Sequence, residues 1–143
     1  VAEGYHDAFG VTTVGLRYFN VYGPRQDYRR TLPPVTSKLI ITLLKGETPV
    51  LYEGDEANKR DFIHVDDIND AHLLCINDAR VDNRWFRVGS GTSYSITDLL
   101  TTIQSVIGTN ITPRREARMA GDRVAQSVAD ISELKALGWE PKI

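Results

Sequence analysis

Arginine side chains recur in three separate stretches of the sequence, and their type and spacing suit them to the binding of an anion. The planar guanidinium group matches phosphate or carboxylate oxygens in two-point contacts, so arginines that converge from separate loops form a phosphate or pyrophosphate clamp. The alternative is a set of exposed ion pairs of little energetic weight, such as Arg60 with Asp61 or Arg118 with Asp122. Residue types alone leave both interpretations open. The three stretches contain Arg17, Arg25, Arg29 and Arg30; Arg60; and Arg114, Arg115, Arg118 and Arg123.

A glycine-rich turn at residues 89–94 has part of the pattern of a phosphate-binding loop. It reads Gly-Ser-Gly-Thr-Ser-Tyr, between a predicted strand and a predicted helix. A dinucleotide-binding loop needs a third glycine, where Tyr94 stands, and an acidic residue about 20 residues later, which we do not find. We therefore predict a strand-to-helix turn and no complete nicotinamide-binding motif in this sequence.

Histidine and cysteine do not predict a metal site. His6, His64, His72 and Cys75 have none of the spacings of known metal ligands. His72 and Cys75 share one face of a predicted helix, where we expect a partly buried histidine beside a core cysteine. Asp66 is expected to cap that helix, and His64 to pack on a strand.

Composition describes a globular protein with one modest core. The chain has 143 residues, 17 Lys and Arg against 19 Asp and Glu, and 41% hydrophobic residues. This near-neutral balance argues against a general nucleic-acid or anionic-membrane binder. No apolar run approaches the roughly 20 residues of a membrane span, and the first residues lack the pattern of a signal peptide. Because Cys75 is the only cysteine, we expect a reducing, cytoplasmic location.

Apolar periodicity and turn residues predict short helices alternating with short strands, which is typical of the α/β or α+β class. The strongest local signals are capping boxes, in which Ser95 with Asp98 begins one helix and Asp130 with Glu133 begins another. Gly108 is predicted to end the first of these helices. Helices are predicted over 2–9 and 33–45 and after Asp66, Ser95 and Asp130; strands are predicted over 11–19, 50–52, 62–65 and 85–88, with a turn at 20–24.

The segment from Arg17 to Gln26 reads Arg-Tyr-Phe-Asn-Val-Tyr-Gly-Pro-Arg-Gln. It resembles the RYFNVYGPRQ signature of the extended short-chain dehydrogenase/reductase family, the NAD-dependent sugar-nucleotide epimerases and dehydratases. Other segments resemble further motifs of this family, in the same order along nearly the whole chain. Several ordered motifs at family spacing are far more specific than any one of them alone. These segments are Gly54-Asp55, Arg60 to Asp67, Val88 to Gly91, Gly121-Asp122, Ala129-Asp130 and Leu137 to Pro141.

The resemblance implies a Rossmann-type fold, of which residues 1–143 form the carboxy-terminal, substrate-binding portion. In this family the amino-terminal portion carries the glycine-rich NAD loop, a catalytic Ser or Thr and a Tyr-x-x-x-Lys pair, and the sequence contains none of these. We therefore expect the NAD-binding part to be absent from this chain. We also expect no catalytic residue and no metal ligand within it, and no turnover by the chain alone. NAD is the implied cofactor of the whole protein.

The resemblance also implies roles for the residues at matching positions. Their types suit these roles, because guanidinium groups neutralise a pyrophosphate, an amide orients it and a carboxylate accepts hydrogen bonds from a diol. The implied substrate-binding residues are Asn20, Arg60 and Arg118 for the diphosphate, Asp122 for the ribose, Thr31 and Leu32 for the base through main-chain groups, and Tyr52 beside the base; Tyr18 and Phe19 are implied to line the boundary with the nicotinamide.

The implied function of the whole protein is that of a UDP-hexose or UDP-N-acetylhexosamine 4-epimerase, which oxidises its substrate transiently to a 4-keto sugar. A 4,6-dehydratase or a decarboxylase of nucleotide-linked sugars is the alternative within the family. A stand-alone nucleotide-binding module without catalysis is the alternative outside it. Glu53 stands where family members often carry an aromatic residue, so dTDP and GDP remain open beside UDP. A homodimer is expected, with no nucleic-acid or membrane partner.

Overall fold

A computed structural model describes residues 2–118, 121 and 125–143, and these contain five α-helices, one 3-10 turn and eight short strands. Three of the four strand pairs are parallel and one is antiparallel, so the predicted α/β class is confirmed. The helices are α1 (Ala2–Phe9), α2 (Val35–Leu44), α3 (Val65–Asn77), α4 (Ile96–Ile107) and α5 (Ser132–Ala136), with the 3-10 turn at Ala79–Val81; the strands are β1 (Gly15–Tyr18), β2 (Asn20–Tyr22), β3 (Val50–Tyr52), β4 (Lys59–Arg60), β5 (Phe62–His64), β6 (Trp85–Val88), β7 (Tyr94–Ser95) and β8 (Arg114–Glu116).

The described residues divide into two compact units that are interleaved along the chain. The first unit takes its residues from Val1–Gly23, Asp61–Thr92 and Val128–Ile143. The second takes them from Pro24–Arg60 and Ser93–Ser127. Each unit therefore combines segments that are far apart in the sequence.

In the first unit, one extended segment pairs with two different strands in succession. β1 runs parallel to β6, with Leu16 opposite Phe86, and the Phe19 N–H continues the pairing by donating to the Val88 carbonyl at 2.9 Å. From Asn20 onward the segment pairs instead with β5. The core beneath these strands is apolar, and alternate side chains of β6, those of Phe86 and Val88, point into it. It is formed by Ile63, Ile68, Ala71, Val81, Phe86, Val88, Ala129, Ile131, Leu134 and Trp139.

This pairing corrects two predicted boundaries. The predicted strand over 11–19 is shorter, since its regular pairing begins at Gly15. The predicted turn at 20–24 is wrong in its first half, because Asn20–Tyr22 forms β2. The turn itself lies at Pro24 and Arg25. Gly23, just before it, has φ +144, and an added Cβ there would lie 2.7 Å from Val65 Cγ1. Only glycine fits this backbone and this close approach.

The start of α3 also differs from the prediction. His64, not Asp66, is the N-cap residue, and its Nδ1 accepts a hydrogen bond from the Asp66 N–H at 3.2 Å. Asp66 lies in the first turn, where a carboxylate interacts favourably with the helix dipole. Both residues therefore stabilise this helix start, and His64 is also the last residue of β5, so its predicted place on a strand is confirmed.

The second unit contains α2, α4 and the strand pairs β3 with β8 and β4 with β7. The capping box at the start of α4 is confirmed: Ser95 Oγ accepts from the Asp98 N–H, and the Asp98 carboxylate accepts from the Ser95 N–H, both at 3.0 Å. Gly108 ends this helix in the left-handed conformation, as predicted. The buried apolar side chains include Leu39, Leu43, Pro49, Leu51, Ile96, Leu100 and Ile103.

The second predicted capping box, at Asp130 and Glu133, is wrong. Ile131 is the N-cap residue of α5, and the helix start has no side-chain cap. The Asp130 carboxylate accepts from the N–H and Oγ of Ser132, while Glu133 pairs with Arg84 at 2.8 Å. Glu133 thus forms an exposed ion pair with a residue distant in sequence and does not cap the helix.

None of the helices described is long and apolar enough to cross a membrane.

Candidate functional site

Asn20 lies where the extended segment changes its pairing partner. Its side chain is exposed, and both its main-chain N–H and its Nδ2 donate to the Asp61 carbonyl, at 3.0 and 2.7 Å. One amide hydrogen is therefore engaged by the protein, and the carboxamide has a fixed orientation. Ligands of parallel α/β sheets commonly bind where neighbouring strands diverge, at their carboxyl ends. The position of Asn20 in the first unit agrees with this rule.

The Asp61 carboxylate fills the inside of the glycine turn that follows β6. Asp61 is fully buried and accepts hydrogen bonds from the Ser90 N–H at 2.7 Å, Ser90 Oγ at 2.8 Å, the Gly91 N–H at 3.0 Å and the Ala129 N–H at 2.9 Å. A Cβ at Gly89 would lie 2.5 Å from Ala129 Cβ and 2.6 Å from Asp61 Oδ2. The turn thus surrounds the protein's own anion, which agrees with its prediction as a structural turn.

Arg60, in the second unit, is held by neutral partners. Its Nη1 donates to the main-chain carbonyls of Ala125 at 2.8 Å and Lys59 at 3.1 Å. Within the part of the chain that the structure describes, no carboxylate forms a salt bridge with it. Asp61, which an exposed ion pair would require at the surface, is instead buried. The Arg60 guanidinium is therefore positioned while its charge stays uncompensated by these residues.

Arg118 has a different environment, because it forms an ion pair with a buried carboxylate. Its Nη2 lies 2.6 Å from Asp55 Oδ1, and its Nε donates to the Glu53 carbonyl at 3.1 Å. The Arg118 side chain is 12% exposed and the Asp55 side chain 5%. Asp55 Oδ2 also accepts from the Tyr52 N–H at 2.8 Å. Two predicted site residues, Tyr52 and Arg118, are thus joined through Asp55 within the second unit.

The remaining predicted substrate residues are less informative. Thr31 and Leu32 are exposed in the loop before α2, and the Leu32 carbonyl accepts from Arg30 Nε at 2.7 Å. Their main-chain groups are therefore near the surface, as contacts to a base would require. Asp122 lies outside the described residues, and so does the predicted alternative pairing of Asp122 with Arg118.

Tyr18 and Phe19, predicted at the nicotinamide boundary, differ in their surroundings. Phe19 packs against the core of the first unit, whereas Tyr18 is exposed and its hydroxyl lies 2.8 Å from His72 Nε2. The other ring nitrogen of His72 lies 2.9 Å from the Ile68 carbonyl, which can only accept. In neutral His72, Nδ1 therefore carries the proton and Nε2 accepts from Tyr18.

The predicted structural role of Cys75 agrees with its environment. The thiol is half-buried, and burial, followed by the nearby Asp78 charge, raises the pKa of Cys75 above its usual value. A raised pKa disfavours the reactive thiolate. Among residues 2–118, 121 and 125–143, no group of three or more histidine, cysteine, aspartate or glutamate side chains could hold a metal ion.

The sequence did not predict that two buried carboxylates hold parts of the chain in place, Asp61 the glycine turn and Asp55 the Arg118 guanidinium. Asp55 and Asp61 occur in the doublets Gly54-Asp55 and Arg60-Asp61, and both doublets belong to the motifs that carry the family resemblance. The available signal was therefore the motif itself, since nothing in the local pattern predicts that these carboxylates are buried.

The fold and these side chains define an α/β protein equipped with an arginine that suits an anion. The family described as "NAD dependent epimerase/dehydratase family" matches residues 1–89, which is more than half of the sequence, and the chain belongs to this family. A curated protein of Methanocaldococcus jannaschii is 32% identical over 139 residues, which are 97% of this chain and 44% of that protein. The predicted membership of the epimerase and dehydratase family is thus confirmed.

Solved structures of the family are similar in fold. A UDP-glucose 4-epimerase of Thermotoga maritima with UDP-glucose has a TM-score of 0.89 and 33% identity over 99% of this chain and 44% of its own. A UDP-N-acetylglucosamine 4-epimerase of Methanobrevibacter ruminantium, in complex with UDP-N-acetylmuramic acid, has a TM-score of 0.88 and 36% identity over 98% of this chain and 44% of its own. The chain spans less than half the length of these relatives.

Proposed function

We propose that this chain binds the nucleotide diphosphate part of a UDP-sugar and that the whole protein is an NAD-dependent UDP-sugar 4-epimerase. The proposal is supported by family membership and by two similar epimerases whose structures contain UDP-glucose and UDP-N-acetylmuramic acid. In such a protein the task of residues 1–143 is to hold the part of the substrate that does not react. Binding energy from that part positions the reacting sugar carbon.

The environment of the Arg60 guanidinium is the observation on which the proposal rests. Two neutral carbonyls, those of Lys59 and Ala125, fix its guanidinium, and no described carboxylate forms a salt bridge with it. A fixed cation of this kind can donate charge-assisted hydrogen bonds to a diphosphate without first breaking an ion pair. We propose that Arg60 is the principal cationic contact of the diphosphate.

The other assignments are proposals that follow from the family resemblance. Each residue is assigned by its matching position, and its role follows from the groups that it offers. The assigned residues are Asn20 and Arg118 for the diphosphate, Asp122 for the ribose, Thr31 and Leu32 for the base through main-chain groups, Tyr52 beside the base, and Tyr18 and Phe19 at the nicotinamide boundary.

We propose that NAD is held chiefly by parts of the whole protein other than residues 1–143. In the described residues, the N–H groups of Ser90 and Gly91 in the glycine turn already bind Asp61, so this turn does not suit a pyrophosphate. When bound, NAD supplies the hydride acceptor for the transient oxidation to a 4-keto sugar. The chain's own residues bind and orient the nucleotide. A homodimeric whole protein in the cytoplasm is part of the same proposal.

Calorimetric titration of the 143-residue chain with UDP tests the binding proposal. Arg60→Ala removes charge-assisted hydrogen bonds and is expected to cost about 1–3 kcal/mol of binding free energy, which is about 5- to 150-fold in affinity. Arg114→Ala is the matched control, because Arg114 is an exposed arginine of the same unit that pairs with Glu116. It is expected to leave UDP affinity unchanged.

Two results would contradict the proposal. One is a wild-type chain that shows no UDP binding at millimolar concentration. The other is an Arg60→Ala chain that binds UDP as tightly as the Arg114→Ala control. A third measurement addresses catalysis: with NAD and a UDP-sugar, the chain alone is expected to show no epimerisation, and measurable turnover would refute the assignment of catalysis to other parts of the protein.

A further inference from the structure

Asp55 is a buried carboxylate in the turn after β3, and it accepts hydrogen bonds from several donors at once. The residue is 3% exposed. Its carboxylate accepts from the Tyr52 N–H at 2.8 Å and from Arg118 Nη2 at 2.6 Å, with Asn58 Nδ2 at 3.5 Å as a weaker neighbour. Burying a carboxylate is costly unless it is paired and hydrogen-bonded, so this arrangement constrains each of its partners.

The Arg118 guanidinium is held at two nitrogens. Nη2 donates to Asp55, and Nε donates to the Glu53 carbonyl at 3.1 Å. Two contacts through two different nitrogens fix both the position and the plane of the guanidinium group. Because two-point recognition of phosphate depends on this plane, the orientation of Arg118 matters as much as its charge.

We propose that Asp55 is a positioning residue for the diphosphate site, acting through Arg118 and the Tyr52 main chain. This inference rests on the proposed function. Asp55 is itself an anion, so its charge and its positioning role have opposite effects on the binding of a diphosphate. If charge alone governed binding, removal of Asp55 would make this part of the unit more positive and tighten the binding of UDP. If orientation governs it, the same removal weakens binding.

Asp55→Asn separates these two outcomes with little change in shape. The carboxamide oxygen of the variant can still accept from the Tyr52 N–H, but its NH2 group then faces the Arg118 donor, so Arg118 loses one of its two contacts and keeps only the Glu53 carbonyl. We expect UDP affinity to fall by about tenfold or more, because at least one charge-assisted hydrogen bond is misplaced. Equal or tighter binding of UDP by Asp55→Asn overturns the proposal.

Glu56→Gln is the matched control. It removes one negative charge from the neighbouring residue, where the exposed Glu56 carboxylate pairs with Arg115 at 3.2 Å. UDP affinity is expected to be unchanged or slightly higher in this variant. A loss equal to that of Asp55→Asn would show a general charge effect and would overturn the proposal.

A double-mutant cycle tests whether Asp55 acts through Arg118, and it includes a variant that keeps the positive charge. Arg118→Lys cannot reproduce the two contacts of the guanidinium, so it is expected to lose UDP affinity much as Asp55→Asn does. In the Arg118→Lys background, Asp55→Asn is expected to cause no further loss. Additive losses overturn the proposal. Thermal unfolding and circular dichroism identify variants that fail to fold. If Asp55→Asn does not fold, Arg118→Lys tests the same contact from its other partner, and unchanged UDP affinity in that variant overturns the proposal.

The failures of the two proposals are distinguishable. A wild-type chain that does not bind UDP refutes the proposed function. A wild-type chain that binds UDP, with Asp55→Asn binding equally well, refutes only the positioning role of Asp55.

Discussion

Asp61→Asn is expected to destabilise the fold far more than its small chemical change suggests. Each carboxylate oxygen of Asp61 accepts two hydrogen bonds: Oδ1 from the N–H and Oγ of Ser90, and Oδ2 from the N–H groups of Gly91 and Ala129. An asparagine side chain must turn its NH2 group toward one of these two pairs of donors. Because the residue is fully buried, water cannot replace the lost acceptor.

The less unfavourable of the two orientations of the asparagine side chain sets the expected loss of unfolding free energy. With the NH2 group toward Ser90, the serine hydroxyl can rotate to accept, but the Ser90 N–H is left without an acceptor. An orphaned buried N–H costs about 1–3 kcal/mol. The bonds from Gly91 and Ala129 lose the extra strength that an ionised acceptor gives them. We therefore expect the free energy of unfolding to fall by about 2–4 kcal/mol, a large part of the roughly 5–15 kcal/mol that a domain possesses.

Urea unfolding followed by circular dichroism measures this loss. For a slope of about 1–3 kcal/mol per molar urea, the midpoint is expected to fall by about 0.7 M or more. Asp66→Asn is the control, since its carboxylate is 67% exposed in the first turn of α3. It is expected to cost only about 0.3–1 kcal/mol. The reasoning is refuted if both variants unfold at the same urea concentration.

Three further predictions concern single side chains. The hydrogen bonds from Arg80 hold the pKa of Asp78 at about 2, so the stabilisation from this pair is present above pH 3.8 and is lost as the pH falls through about 2. In an NMR titration, Arg80→Ala is expected to return this pKa toward 3.8, and an unchanged value would contradict the cause. Cys75 is expected to react slowly with a disulfide reagent at pH 8 and quickly in urea, because burial raises its pKa; rapid labelling of the folded chain would refute this. Ser95→Ala removes the N-cap of α4 and is expected to cost about 0.5–2 kcal/mol of unfolding free energy, whereas Ser105→Ala on the exposed face of the same helix is expected to be near neutral; equal effects would contradict the role of the cap.

Much of the local structure could be predicted because its causes are local. The N-terminal capping box at Ser95 and the glycine stop at Gly108 act between residues within one turn of each other, so the sequence contains both partners of each contact. The ordered motifs likewise predicted the family that the comparisons confirm. The second predicted capping box was wrong for a related reason, since the Glu133 carboxylate pairs with Arg84, which is 49 residues away, and does not cap α5.

The sequence by itself therefore determined the residue types of the predicted site, both ends of α4 and the class of protein. Tertiary structure alone decided which strand Asn20 joins, because β-pairing joins residues that are distant in the chain. It also gave the two arginines different partners: Arg118 pairs with a buried carboxylate 63 residues away, whereas Arg60 donates to the carbonyl of Ala125. The burial of Asp61 depends on N–H donors 29, 30 and 68 residues away. Charge compensation and burial are properties of neighbours in space, and only the folded chain brings those neighbours together.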